Sequence, residues 1–223
     1  MKVKLVSYSK SSEELESHNI DDLLDLVSFC ARVSNPSNQY NTETSDKLIK
    51  YLIKNKHWSP LEMVSVCLEI ETTRDIARQI LRHRSFSFQE FSQRYADPIK
   101  ELDFVIREAR LQDNKNRQNS IEIDNLQTDS QNKLVSEWNN RQSEIIEKVK
   151  EHYKWAIDNG IAKEQARCIL PEGNTISRLY VNGTLRSWIH YIELRCDNGT
   201  QKEHRLIALE CSKVISKIFP LIK

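Results

Sequence analysis

Residues 62–71 read EMVSVCLEIE, and their alternation constrains the fold more tightly than any other stretch. Met63, Ser65, Cys67 and Glu69 fall on one side of an extended chain, opposite Val64, Val66, Leu68 and Ile70. That pattern is a strand with one buried face. The period then changes from two to that of a helix. Between Thr73 and His83, Ile76, Ala77, Ile80 and Leu81 share one helical face, while Arg74, Arg78, Gln79, Arg82 and His83 share the other.

Other segments extend this mixture. A first strand is expected at 3–8 and a short one near 175–182. Asp21 and Asp22 open a helical run, LLDLVSFCARV, and another helix is expected over 44–56, with Leu48, Tyr51, Leu52 and His57 along its stripe. From 133 to 159 Leu134, Val135, Trp138, Ile145, Val149, Tyr153 and Trp155 recur helically, and Gly160 suits the C-cap. Further helices are expected at 163–169, 184–196 and 201–218. The fold class is α+β, a central mixed or antiparallel sheet flanked by helices with a helical lobe. A single domain over 1–223 is expected, with a polar surface insertion at about 111–132, either loop or weak helix.

Composition removes several function classes. Four glycines cannot build a GxGxxG or GxxxxGK[ST] loop, so any nucleotide must be held by side chains and ordinary amides. With 33 Lys+Arg against 32 Asp+Glu, nothing global draws the chain to nucleic acid or an anionic membrane. No segment reads as a signal peptide or membrane span, and five cysteines without a CxxC pair suit free thiols in a reducing compartment. The expected location is cytoplasmic.

Local charge is concentrated all the same. Arg74, Arg78, Arg82, Arg84 and Arg94 fall within twenty-one residues, which implies an anionic ligand or a set of internal ion pairs. Arg84 would return to the apolar side of a continuing helix, so the helix should end there. The SFSFQEFSQRY that follows, with Phe86, Phe88 and Phe91 interleaved among Ser87, Glu90, Ser92 and Arg94, suits an extended segment laying polar groups along a pocket wall. A solvated basic helix face explains the arginines equally well. A single-stranded nucleic-acid module would also use arginine and phenylalanine, but the near-zero charge and Asp75, Glu90 and Asp97 weigh against it. The six histidines show no HxxxH or HExxH spacing, which disfavours a metal-dependent hydrolase, and no metal site is expected.

Residues 82–95, RHRSFSFQEFSQRY, resemble the signature of the flavin-dependent thymidylate synthases (ThyX family): Arg82-His83-Arg84, seven residues, then Ser92. Ser87, Glu90 and Arg94 meet the fuller form, and Gln89 stands where asparagine is usual. HWSPLEM, ARCILPEG and NGTLRSWIHYIELRCD are similar to further family segments. The resemblance implies that Ser59, Arg82, His83, Arg84, Glu90, Thr184, Arg186 and His190 contact FAD, with His57 and Glu62 nearby. It implies that Gln79, Arg82, Glu90, Phe91, Ser92, Gln93, Arg94, Arg167 and Arg195 bind dUMP. Arg195 is the catalytic arginine expected to polarise the uracil.

The implied reaction is reductive methylation of dUMP to dTMP. 5,10-Methylenetetrahydrofolate gives the carbon and NADPH-reduced FAD gives the hydride. No cysteine follows a proline; the preceding residues are Phe29, Val66, Arg167, Arg195 and Glu210. A route through a Pro-Cys nucleophile is therefore disfavoured independently of the signature. Ser92 is expected to position substrate, since no histidine lies near it in sequence to activate it. The resemblance further implies a homotetramer with active sites shared between subunits.

Overall fold

A computed structural model of the chain describes residues 1–123 and 128–221. The strands are β1 (Lys2–Tyr8), β2 (Ser65–Thr73), β3 (Ser87–Glu90), β4 (Arg110–Gln112), β5 (Ser120–Glu122) and β6 (Ile176–Thr184). Four of them form a sheet of order β1-β2-β6-β3, and β4 pairs with β5 antiparallel. The helices before the arginine-rich segment are α1 (Glu13–Glu16), α2 (Leu23–Ala31) and α3 (Ser45–Lys54). After them come α4 (Arg74–Ile80), α5 (Pro98–Glu101), α6 (Asp129–Asp158), α7 (Lys163–Ala166), α8 (Leu185–Arg195) and α9 (Lys202–Ile215). Among the described residues no helix is long and apolar enough to cross a membrane.

The chain forms two compact units. The first comprises Met1–Ile70, Arg82–Gln89 and Tyr180–Lys223; the second comprises Glu71–Leu81 and Glu90–Leu179.

In the first unit the alternation of β2 does what its sequence demands: Val64, Val66, Leu68 and Ile70 are buried. The strand starts at Ser65 rather than Glu62, because Pro60 near the start of Ser59–Glu62 sets a 3-10 turn there. Asp22 caps α2 by accepting from the Asp25 amide at 2.8 Å. Helix α3 buries Ser45, Ile49 and Leu52, while Tyr51 is exposed, so the stripe is centred one residue from the expected one. It closes on Lys56, a non-glycine residue at φ 58°. There the Lys56 amide bonds Ile53 O and the His57 amide bonds Leu52 O, the paired bonds of a Schellman end. Helix α8 buries Leu185, Trp188, Ile189, Tyr191 and Ile192, and Trp188 Nε1 donates to Val66 O at 2.9 Å. Fully burying side chains of this size contributes roughly 1.5–3 kcal/mol each.

In the second unit α6 runs for 30 residues behind a capping box built by Thr128 and Gln131. Gly160, at φ 77°, ends it, with the Ile161 amide on Ala156 O and the Gly160 amide on Ile157 O. Its buried face is Gln142, Ile146, Tyr153 and Ala156. Leu134, Trp138, Ile145 and Trp155 of the expected stripe are exposed instead. Polar clamping displaces that stripe: Gln142 is buried because it bonds both the Arg107 amide and carbonyl. Arg107 in turn grips Asp75, Thr73 Oγ1 and Gly173 O. The 111–132 stretch is neither plain loop nor weak helix, since it holds the β4–β5 hairpin and the first turn of α6. Its residues 124–127 lie outside the described residues.

Candidate active site

The arginine-rich segment departs from a continuous helix. Helix α4 stops at Ile80, the Leu81 amide closes it on Ala77 O, and Arg82 and His83 follow in a turn. The shared helical surface expected for Gln79, Arg82 and His83 is therefore not formed. Phe86 packs in the core of the first unit, where its ring centroid lies 4.6 Å from that of Trp188. Gly183 makes room for it: a Cβ on Gly183 would stand 2.5 Å from Phe86 Cε1. The extended half is short too. β3 covers only Ser87–Glu90, the Phe91 amide bonds Arg178 O at 2.8 Å, and Ser92 then opens a turn closed by the Tyr95 and Ala96 amides.

Within the first unit, Arg195 and His83 meet. Arg195 Nε donates to His83 Nε2 at 2.9 Å. An acceptor Nε2 makes the imidazole neutral with its proton on Nδ1. Burial, then the Arg195 and Arg82 charges, lowers the His83 pKa to about 4, which agrees with that assignment. Arg82 and Arg84 themselves are exposed. Thr184 caps α8 through its hydroxyl, which accepts from the Ser187 amide at 3.3 Å. Two residues on, Arg186 forms an ion pair with Glu62, and further along α8 the His190 ring stands edge-on to Trp58 at 4.5 Å. The 3-10 turn carrying Ser59 and Glu62 and the start of α8 thus present one continuous set of side chains. His57 is an exposed helix-end histidine, its ring edge-on to Tyr51 at 5.9 Å.

The second unit gathers another set. Arg94 pairs with the Glu164 carboxylate at 3.1 Å, and Arg167 Nε donates to the Glu164 carbonyl at 3.3 Å. Glu164 therefore draws two of the arginines expected at dUMP onto one residue. Glu90 accepts from Ser177 Oγ at 2.8 Å and pairs with the buried Arg74 at 3.6 Å. Arg78 and Arg74 both pair with Glu172, whose carboxyl is held below the ordinary range chiefly by its hydrogen bond from Arg78. Gln93 is 3% exposed and its Nε2 has no hydrogen-bond partner. A buried amide donor left in that state fits a ligand carbonyl. Gln79, Phe91 and Ser92 also belong to this unit, Ser92 exposed and the other two half-buried.

The expected sets thus divide. Every expected flavin contact except Glu90 lies in the first unit, and every expected dUMP contact except Arg82 and Arg195 lies in the second. Ion pairs occupy Arg74, Arg78 and Arg94, so the internal-pair reading of the arginine cluster holds for these three. Among the described residues no group of three or more His, Cys, Asp or Glu is arranged to hold a metal ion.

Residues 14–221 match the model of the family described as Thymidylate synthase complementing protein. The chain belongs to that family. A probable flavin-dependent thymidylate synthase of Paramecium bursaria Chlorella virus 1 is 46% identical over 222 residues, spanning 100% of this chain and 97% of that protein. A flavin-dependent thymidylate synthase of Synechocystis sp. is 50% identical over 198 residues, spanning 88% of this chain and 86% of that protein. A UMP/dUMP methylase, PolB from Streptomyces cacaoi, whose structure is bound with 5-Br dUMP, shares the fold at TM-score 0.74 and 24% identity, over 97% of this chain and 90% of that one.

In this member of the Thymidylate synthase complementing protein family, pattern alone selects only part of the residues gathered in the candidate site. Glu164 and Glu172 escaped it, although each lies beside or inside the ARCILPEG segment, where an acidic residue next to arginines is itself a signal. Tyr191 escaped it as well. It stands four residues before Arg195 on α8, so helical spacing would have put the two on one face.

Proposed function

We propose that the chain is a flavin-dependent thymidylate synthase. It converts dUMP to dTMP, taking the carbon from 5,10-methylenetetrahydrofolate and the reducing equivalents from NADPH through FAD. The observation that carries this reading is the Arg195–His83 hydrogen bond, which joins the arginine expected at the uracil to the histidine expected at the flavin. The names of the relatives and family membership over residues 14–221 support the same reaction. Bound FAD would supply the hydride.

The protein's own residues supply charge and orientation. Arg82, Arg84 and Arg186 are the cations suited to the flavin's diphosphate, with Ser59, Thr184 and His190 on the same unit. Arg94 and Arg167, gathered at Glu164, suit the dUMP phosphate, while Gln93 offers its buried amide to a pyrimidine carbonyl. Gln79, Glu90, Phe91 and Ser92 complete that set. The Nε of Arg195 is committed to His83, so its terminal nitrogens are the ones that reach the uracil and stabilise charge developing there. Neutral His83 preserves the contact, because an imidazolium would set two cations face to face.

Four of the five cysteines are poor candidates for a competing nucleophile. Burial pushes the thiols of Cys30, Cys67, Cys196 and Cys211 up, which keeps them protonated and poorly nucleophilic. The reading includes assembly as a homotetramer with shared active sites and a cytoplasmic location. The exposed Leu134, Trp138, Ile145 and Trp155 of α6 are apolar surface that such assembly would cover.

Purification is the first test. The protein should bind FAD and form dTMP only when dUMP, methylenetetrahydrofolate and NADPH are all present. Arg195→Ala should keep flavin and lose dTMP formation. A colourless protein that takes up no added FAD refutes the reading.

A further inference from the structure

Behind His83 and Arg195 lies a buried pair of side chains, Tyr191 of α8 and His204 of α9, which are 1% and 0% exposed. A histidine at full burial is costly unless its nitrogens are bonded. Here His204 Nε2 meets the Tyr191 hydroxyl at 3.1 Å. The Tyr191 ring also stands edge-on to His83, with centroids 5.0 Å apart at 79°, and edge-on to Phe86 at 5.8 Å. So one end of Tyr191 is tied by a hydrogen bond, and its ring is the surface against which the His83 imidazole rests. On its own helix, Tyr191 precedes Arg195 by about one turn.

We propose that Tyr191 and His204 are positioning residues for the reaction. Their hydrogen bond fixes the aromatic wall that holds His83 in the orientation in which its Nε2 accepts from Arg195. The proposal rests on the reading of His83 and Arg195 as site residues. Both buried groups are neutral across the working range. Burial holds the Tyr191 hydroxyl well above its ordinary value, and burial, then the Arg195 charge, lowers His204 to about 3. The contact is therefore a neutral hydrogen bond whose geometry does not change with ordinary pH. Small displacements matter because the His83–Arg195 bond is directional: moving the ring misaims the arginine without removing it.

A pair that merely fills the core would change stability and nothing else. The test compares the full-length, flavin-loaded enzyme with Tyr191→Phe, His204→Leu and His204→Gln. Tyr191→Phe deletes one hydroxyl and keeps the ring. Tyr191→Phe and His204→Leu should retain flavin, lower kcat by about tenfold or more, and move KM for dUMP by less than about threefold. The ¹⁵N signals of His83 should shift from a single Nδ1–H tautomer toward a mixture. His204→Gln, whose amide can renew the hydrogen bond, should recover most of kcat.

Unchanged kcat and unchanged His83 signals in Tyr191→Phe, with only a lower Tm, would overturn the proposal. If His204→Leu does not fold, Tyr191→Phe alone decides. Failure of the underlying site reading looks different: His83→Ala and Arg195→Ala would then turn over like the wild type, while the His83 signals would still score the positioning.

Discussion

Gly183→Ala is the change whose consequence the structure specifies most fully. Gly183 lies on β6 just before Thr184, the N-cap of α8. An added Cβ would sit 2.5 Å from Phe86 Cε1, closer still to Cδ1, and 3.3 Å from Ser187 Cβ. Real Cβ atoms do not tolerate such an approach to a ring carbon, so the Phe86 ring or the strand must move. The ring has little room. It is 8% exposed, 4.6 Å from the Trp188 centroid and 5.8 Å from that of Tyr191. Overpacking a closed core by one methyl costs about 1–3 kcal/mol, and the absence of slack puts this case in the upper half. Urea unfolding should show the midpoint falling with an unchanged m-value. Phe86→Leu removes the clashing ring edge, so the double variant should be less destabilised than the two single losses added together, by about 1 kcal/mol or more. Strict additivity, or a Gly183→Ala protein as stable as the wild type, would refute the close-approach argument. Because His83 is three residues from Phe86, the same variant should also weaken flavin binding.

Other perturbations give separate readings. Arg167→Ala should weaken dUMP binding by about 1.5–3 kcal/mol, the loss of one charge-assisted hydrogen bond, as measured by calorimetric titration. Lys56→Gly should raise unfolding stability by about 0.5–1 kcal/mol in denaturant titration, since Lys56 holds φ at 58° in a C-terminal position that glycine adopts without strain. Tyr153→Phe should be neutral or stabilising by up to about 1–2 kcal/mol, because the buried Tyr153 hydroxyl has no partner; a clear loss of stability would show that it has one. For pH, the native His204 pKa of about 3 lies below the ordinary 6.5, so the unfolded chain binds the extra proton first as pH falls. Stability should then drop by about 1.4 kcal/mol per pH unit below 6.5 from this group, and His83, lowered to about 4, acts in the same direction. Unfolding midpoints measured across that range in His204→Gln should have a shallower slope.

How far the sequence could be read depended on whether the signal was local. The burial of Val64, Val66, Leu68 and Ile70 needed only a period of two, and the stop at Gly160 only a residue that accepts positive φ. The end of α4 was misplaced by three residues. Nothing between Ile80 and His83 breaks a helix, so no local signal marked the end, and the contact that Phe86 makes just beyond it, with Trp188, is about a hundred residues away in sequence. The α6 stripe failed as well: hydrophobicity ranks Trp138 above Gln142, yet Gln142 is buried and bonds both the amide and the carbonyl of Arg107, while Trp138 reaches that carbonyl from an exposed position. The arginines make the same point for the site. Their spacing could not say whether a ligand or an acid would meet them, and the structure splits them: Arg74 and Arg78 belong to Glu172, while Arg82 and Arg84 stay exposed. Arg94 meets the Glu164 carboxylate and Arg167 the Glu164 carbonyl at half-exposed positions, where such contacts are worth little, so a phosphate would take both arginines at small cost. Removing the carboxylate isolates its part: Glu164→Gln keeps the carbonyl that Arg167 meets, frees Arg94, and should tighten dUMP binding in a titration if the carboxylate only holds Arg94 in reserve. Weaker binding in the same titration would show instead that the carboxylate aims Arg94.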